Sequence, residues 1–168
     1  MTTVIAIDGA AGSGKSTLAQ RLAAELGLPY VNTGLMYRAL ALRAHREGVS
    51  PENAPVLERL ARGMRFDLDS SVRPPELRID GEPPDPALTS AEVESSVSAV
   101  SRHLEVREVF RREQRRLAVD GAVMEGRDIG SVVSNTIASG AGTNGLVRAS
   151  SWSRVPSDRA TCSGSLSR

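Results

Sequence analysis

Apolar residues follow two rhythms along this chain. Val4-Ile5-Ala6-Ile7 is an unbroken apolar run closed by Asp8 and Gly9, the texture of a buried strand. Leu18, Leu22 and Leu26 then recur at helical spacing with Ala19 and Ala23 between them, predicting an amphipathic helix that stops at Gly27. Tyr30-Val31, after Pro29, reads as a second short strand. Asn32-Thr33-Gly34 turns into a helix carrying Met36, Tyr37, Leu40 and Leu42. A further helix is expected to open at Ser50-Pro51-Glu52, with Ser50 as N-cap, Pro51 in the first position and Val56, Leu57 and Leu60 on its apolar side.

From Met64 to about Asp85 the rhythm changes to alternation. Phe66 and Leu68, then Leu77 and Ile79, are interleaved with charged residues, and Asp80-Gly81 is a hairpin turn signal, so a small β insertion rich in proline is expected. Thr89 and Glu92 have the spacing of a capping box that starts another helix. Between Glu105 and Leu117, Val106, Val109, Phe110 and Leu117 share one side; Arg107, Arg111, Arg112, Arg115 and Arg116 lie on the other, as a solvated face would. Ala122-Val123-Met124 reads as a third strand leading into Glu125-Gly126-Arg127-Asp128. Beyond about Ser134 no period persists. Residues 134–168 are rich in serine and glycine and hold a single acidic residue, Asp158; such a composition cannot offset the entropy of ordering. They are expected to be a disordered tail, or sequence foreign to the first 133 residues.

Composition narrows the class. A chain of 168 residues is one domain's length, and 40% hydrophobic content is ordinary for a water-soluble core, but aromatics at 3% leave that core to Leu, Val, Ile and Ala. A net charge of +1 argues neither for nor against nucleic acid. The single Cys162 rules out an internal disulfide framework and suits a reducing compartment. No run approaches the roughly 20 apolar residues of a membrane span, and a strand begins almost at once, without room for a signal peptide. A cytoplasmic protein is expected, acting on small molecules without nucleic acid or membrane. His45 and His103 have no carboxylate or thiol partners at ligand spacing.

Among the chain's basic residues Lys15 is the only lysine; the rest are arginine. It lies in Gly9-Ala10-Ala11-Gly12-Ser13-Gly14-Lys15-Ser16-Thr17, which fits the phosphate-loop pattern Gly-x-x-x-x-Gly-Lys-Ser/Thr between a predicted strand and a predicted helix. Glycines let backbone N–H groups converge on phosphates, the helix N-terminus adds partial positive charge, and Ser16 is placed to ligate magnesium. A compact ammonium acts as a point charge between phosphates. These residues predict binding of a nucleoside triphosphate with Mg2+.

Four segments together are more specific than the loop alone. Ile7 through Thr17, Asn32-Thr33-Gly34-Leu35-Met36-Tyr37-Arg38, Ser98 with Val106-Arg107, and Glu125 through Val133 resemble bacterial cytidylate kinase. The resemblance covers residues 1–133 and implies an α/β fold of the P-loop nucleoside monophosphate kinase type. A parallel sheet would carry a monophosphate-binding insertion at about 64–118. It further implies transfer of the γ-phosphoryl group of ATP to CMP or dCMP, giving CDP or dCDP and ADP, with Lys15 and Arg127 catalytic. Thr33, Arg38 and Arg127 would hold the acceptor phosphate, and Ser98, Arg107 and Asp128 would read the cytosine. The chemistry agrees: two anionic reactants need cations on both sides of the transferred group, and a carboxylate can accept from the cytosine amine. Plainer roles stand beside these, with Thr33 as a helix cap, Arg38 and Arg107 as surface arginines, and Ser98 as a helix-surface serine.

Asn32 replaces an aspartate usual in the family, and Ala10 a common proline. After Val133 the family continues into further strands, an arginine-rich lid and a last helix, whereas here the serine-rich segment begins, as a truncation or reading-frame change would produce. The first strand is then expected to be a bare sheet edge, leaving a monomer prone to associate there, marginally folded and at best a weak kinase. Another small-molecule P-loop kinase and a non-catalytic nucleotide-binding remnant are the alternatives.

Overall fold

The computed structural model describes residues 3–9, 12–127, 129–130 and 148–149, the last pair by backbone alone. Ala10, Ala11, Asp128 and most of the 134–168 segment lie outside the described residues, so the expectations placed on them do too.

Strands β1 (Val4–Asp8), β2 (Tyr30–Asn32) and β5 (Ala122–Gly126) form a parallel sheet in which β5 lies between the other two. Alternation along each strand divides the core into two layers. Ile5, Ile7, Tyr30 and Val123 pack under α1 (Lys15–Leu26), against Ala19 and Ala23. Val4, Ala6, Val31, Ala122 and Met124 face the opposite layer, which holds α2 (Thr33–Arg46), α3 (Ala54–Arg62), α4 (Ala91–Arg102) and α5 (Leu104–Leu117). The unbroken apolar texture of β1 thus follows from cover on both faces.

The expected bare edge on β1 is corrected by the structure. Residues 148–149 form a strand, β6, parallel to β1, with Arg148 opposite Ala6 and Ala149 opposite Ile7. So short a strand needs only backbone N–H and C=O groups, which leave no periodic mark in composition.

The β insertion is a two-stranded antiparallel hairpin, β3 (Phe66–Asp69) and β4 (Glu76–Ile79). Its connecting loop is 70–75. Asp80 and Gly81, both at positive φ (52° and 86°), instead turn the chain after β4, where Ile79 bridges to Glu82. Asp69 accepts from the Ser71 hydroxyl at 2.6 Å and from Arg78, and these bonds hold its carboxyl down to about 2. Two helix starts shift from expectation. Asn53 caps α3 by accepting from the Val56 N–H, while Ser50 accepts from Glu52 in the preceding turn. Ser90 caps α4, while the neighbouring Thr89 hydroxyl donates to the Pro86 carbonyl within a 3₁₀ turn, Pro86–Thr89.

Both phenylalanines of the chain meet in the second layer. Phe66 and Phe110 are fully buried with ring centroids 5.5 Å apart at 87°, and Tyr37 packs on Phe110 at 5.0 Å and 75°. With so few aromatics, this edge-to-face trio is the bulkiest part of the core, and its third ring reaches the cavity described next.

Candidate functional site

The C-terminal ends of β1, β2 and β5 lie side by side, where open parallel sheets bind ligands. A cavity of about 640 Å³ opens there. From the phosphate loop, Gly12, Lys15 and Ser16 line it; from the opposite side come Thr33 and Arg38 of α2, Ser98 of α4 and Arg107 of α5; Arg127 follows β5 at its rim. Residues as far apart in sequence as Lys15 and Arg127, 112 positions, and farther therefore share one wall system. The other loop positions named above, Gly9, Ser13, Gly14 and Thr17, flank it rather than line it.

The loop has the backbone its glycines predict. Gly12 and Gly14 adopt φ of 74° and 78°, and Gly14 sits in the left-handed region at the N-cap of α1 with no side chain closing the helix end. The first-turn N–H groups of α1 are thereby left facing outward for an anionic ligand. On the other side of the loop, the Asp8 carboxylate accepts from the N–H groups of Ile129 (2.7 Å) and Gly130 (3.3 Å), tying the end of β1 to the turn after β5.

Thr33 does not cap its helix. Its hydroxyl donates to the Glu125 carbonyl at 2.8 Å and locks the end of β2 to the end of β5. A Cβ at Gly126 would overlap that hydroxyl and the Ile129 side chain, so glycine is required where the two strand ends close up. Arg38 is held in place twice, by the Leu88 carbonyl at 3.1 Å and by the Glu94 carboxylate at 2.5 Å. Ser98 is exposed on the cavity side of α4.

Several cavity residues were not singled out as site residues from the sequence. Arg111 and Gln114 continue the line of Arg107 along α5 at steps of four and three, so the helical period would have found them. Burial pushes the Tyr37 hydroxyl up, and the charges of Arg107 and Arg111 beside it pull it back. Arg102 also lines the cavity but is engaged by Glu52 at 2.7 Å. Glu94 needed the fold to bring it to Arg38. Glu125, 1% exposed, stands at the cavity floor; its Oε1 accepts from the Tyr30 hydroxyl at 2.6 Å, and its Oε2 is buried with no hydrogen-bond partner among the described residues. An acidic residue ending an apolar strand was its signal.

Lys15, Arg38, Arg102, Arg107, Arg111 and Arg127 are balanced by only two acidic residues, Glu94 and Glu125, among the described residues of the cavity walls. Such a charge balance suits ligands with several phosphates bound toward one end.

Comparison with known proteins agrees with this geometry. The cytidylate kinase family model matches residues 5–139, running past Val133, where the sequence motifs end. The chain is 46% identical over 134 residues to a cytidylate kinase of Pelotomaculum thermopropionicum, the match covering 77% of this chain and 58% of that protein. It is 42% identical to a cytidylate kinase of Caldanaerobacter subterraneus, over 79% of this chain and 58% of that one. It is 44% identical to a bifunctional pantoate ligase/cytidylate kinase of Gloeobacter violaceus, over 77% of this chain and 26% of that protein. The chain thus spans well under two thirds of the length of the curated relatives it matches. No helix among the described residues is long and apolar enough to cross a membrane.

Proposed function

The chain belongs to the cytidylate kinase family, and we propose that it transfers the γ-phosphoryl group of ATP to CMP or dCMP, giving ADP and CDP or dCDP. The observation that carries this reading is that one and the same cavity has the phosphate loop on one side and Thr33, Arg38, Ser98, Arg107 and Arg127 on the other. ATP would lie with its phosphates over Lys15 and the N-terminus of α1. The acceptor phosphate would lie on Arg38 and Arg127, beside the Thr33 turn, and the base would lie against Ser98, Arg107 and Asp128. Holding donor and acceptor phosphates between fixed cations supplies most of what phosphoryl transfer asks of a protein.

Magnesium fits the floor of this site. Ser16 offers a hydroxyl and Glu125 a buried carboxylate oxygen without a hydrogen-bond partner among the described residues, an oxygen pair suited to a hard cation. Bound there with ATP, the ion would neutralise phosphate charge. The remaining work falls to the chain's own groups: Lys15 as a fixed positive charge, Arg127 at the transferred group, and the cavity walls that orient the two nucleotides. The setting we infer for such a reaction is the cytoplasm, with a monomeric chain.

The test is phosphoryl transfer measured with CMP, UMP, AMP and shikimate side by side. CMP should be the best acceptor. Preference for another acceptor would make the chain a different small-molecule kinase, and nucleotide binding without any transfer would make it a binding remnant. Asp128→Ala should lower the preference for CMP over UMP more than it weakens ATP binding, because it removes the acceptor facing the cytosine amine; Arg107→Ala should act in the same direction. Equal losses toward CMP and UMP would take Asp128 out of base recognition.

Arg38 is already neutralised by Glu94, whose side chain is 64% exposed. An acceptor phosphate would have to displace that carboxylate. Exposed pairs of this kind contribute roughly 0.2–1 kcal/mol. Glu94→Gln should therefore lower KM for CMP by up to about fivefold, read from initial rates, with KM for ATP unchanged. A raised KM for CMP would show that Glu94 helps to hold Arg38 in its binding position instead.

A further inference from the structure

Tyr30 and Glu125 meet because of strand register. Tyr30 lies opposite Val123 and Asn32 opposite Glu125 across the β2–β5 ladder, so all four side chains belong to the same face of the sheet, with Tyr30 one pleat behind Glu125. That face lies under α1, the helix that starts at the phosphate loop. Tyr30 is 6% exposed and its ring packs with Ile5, Ile7 and Ala19, which fixes where its hydroxyl can reach.

The hydroxyl donates to Glu125 Oε1 at 2.6 Å within the buried floor of the cavity. Burial and the adjacent Glu125 carboxylate push the hydroxyl well above the usual tyrosine range, while the Ser16 and Asn32 side chains beside it act in the opposite direction. The phenol hydroxyl bridges by position between the Glu125 carboxylate near the end of β5, to which it donates, and the side chain of Ser16, the serine that follows Lys15. One carboxylate oxygen is tied back, and the other, Oε2, is buried with no hydrogen-bond partner among the described residues, in a side chain whose residue lines the cavity.

We propose that Tyr30 is a positioning residue for the metal-bearing end of the nucleotide site: its hydroxyl ties back Oε1 of Glu125 and leaves Oε2 as the carboxylate oxygen for a cation held with Ser16. The inference deepens the proposed site and rests on that reading only for the placement of nucleotide on the phosphate loop, not for the identity of the acceptor. Tyr30 would touch neither nucleotide nor metal. It sets the carboxylate's rotation, as outer partners of metal ligands do.

Binding of ADP to the full chain, titrated calorimetrically with and without magnesium, tests this without requiring turnover. Magnesium should increase ADP affinity in the wild-type chain. Tyr30→Phe keeps the ring and removes only the hydroxyl. It should lower the magnesium-dependent gain about tenfold, the lower end of what outer partners of metal ligands contribute, and leave ADP affinity without magnesium within twofold. Glu125→Gln should remove the gain, and adding Tyr30→Phe to it should change nothing more, since the hydroxyl acts through that carboxylate. A magnesium gain retained in Tyr30→Phe would overturn the proposal. So would a loss of ADP affinity that is the same with and without the metal, which marks a structural role, or a wild-type chain that binds ADP equally in both conditions. Failure to phosphorylate CMP, with the binding pattern intact, would strike the proposed reaction and leave this inference standing.

Discussion

Replacing Lys15 by alanine is expected to abolish phosphoryl transfer in any active preparation. Lys15 is the first residue of α1, directly after the left-handed Gly14, and it lines the cavity together with Ser16. Its ammonium would lie among the β- and γ-phosphates, where negative charge must be held while the bond to the leaving oxygen breaks. No other lysine exists to substitute, and the arginines of the cavity stand on other elements. A lost charge-assisted contact at that point should cost more than about 1.4 kcal/mol of barrier, a factor above ten. The check is initial rate at saturating CMP, with a thermal melt to show that the variant folds. Retention of more than about a tenth of the wild-type rate would count against the phosphate-loop assignment.

The largest expected loss of stability comes from Phe110→Ala. Phe110 is fully buried between Phe66 and Tyr37, and the chain holds no other phenylalanine besides Phe66 to fill the space. Truncating a buried phenylalanine costs about 3–5 kcal/mol through lost burial and the cavity left behind. Whole domains of this size are stable by only about 5–15 kcal/mol. Urea unfolding followed by circular dichroism should show the midpoint falling sharply or the transition disappearing. A loss below about 1 kcal/mol would mean that neighbouring side chains collapse into the gap. The same change withdraws the support beneath Tyr37, so the acceptor side of the cavity should loosen before the phosphate loop does.

Much of the sheet and of the site could be read from residues alone, for physical reasons that differ by element. α1, α2 and α5 carry apolar residues at helical spacing and β1, β2 and β5 are short apolar runs, and each of these elements appears where that texture lies. The caps of α3 and α4 lie three residues and one residue beyond the expected positions because serine, threonine and asparagine compete there. Ser50 and Thr89 make local turn bonds, and Asn53 and Ser90 accept from the helix N–H groups. Asp80-Gly81 was a true turn signal, but only the β3–β4 register shows that the hairpin closes elsewhere. β6 was illegible because two paired backbones need no particular side chains. In the site, the motif residues Thr33, Arg38, Ser98, Arg107 and Arg127 converge on one cavity. Glu94 and the Tyr30–Glu125 pair could not be found in that way. Each is defined by a partner 56 or 95 positions distant, at a spacing set by tertiary register rather than by any local period.

One consequence of Lys15 is chemical rather than energetic. An arginine guanidinium stays protonated and resists acylation, so the only side-chain amine open to mild acylating reagents is on the wall of the cavity. Labelling of side-chain amines, which scatters over the surface of most proteins, would here converge on the phosphate loop, with the chain's α-amine as a separate, distinguishable site. A nucleotide bound as proposed would shield that amine, so the extent of its modification would itself gauge occupancy.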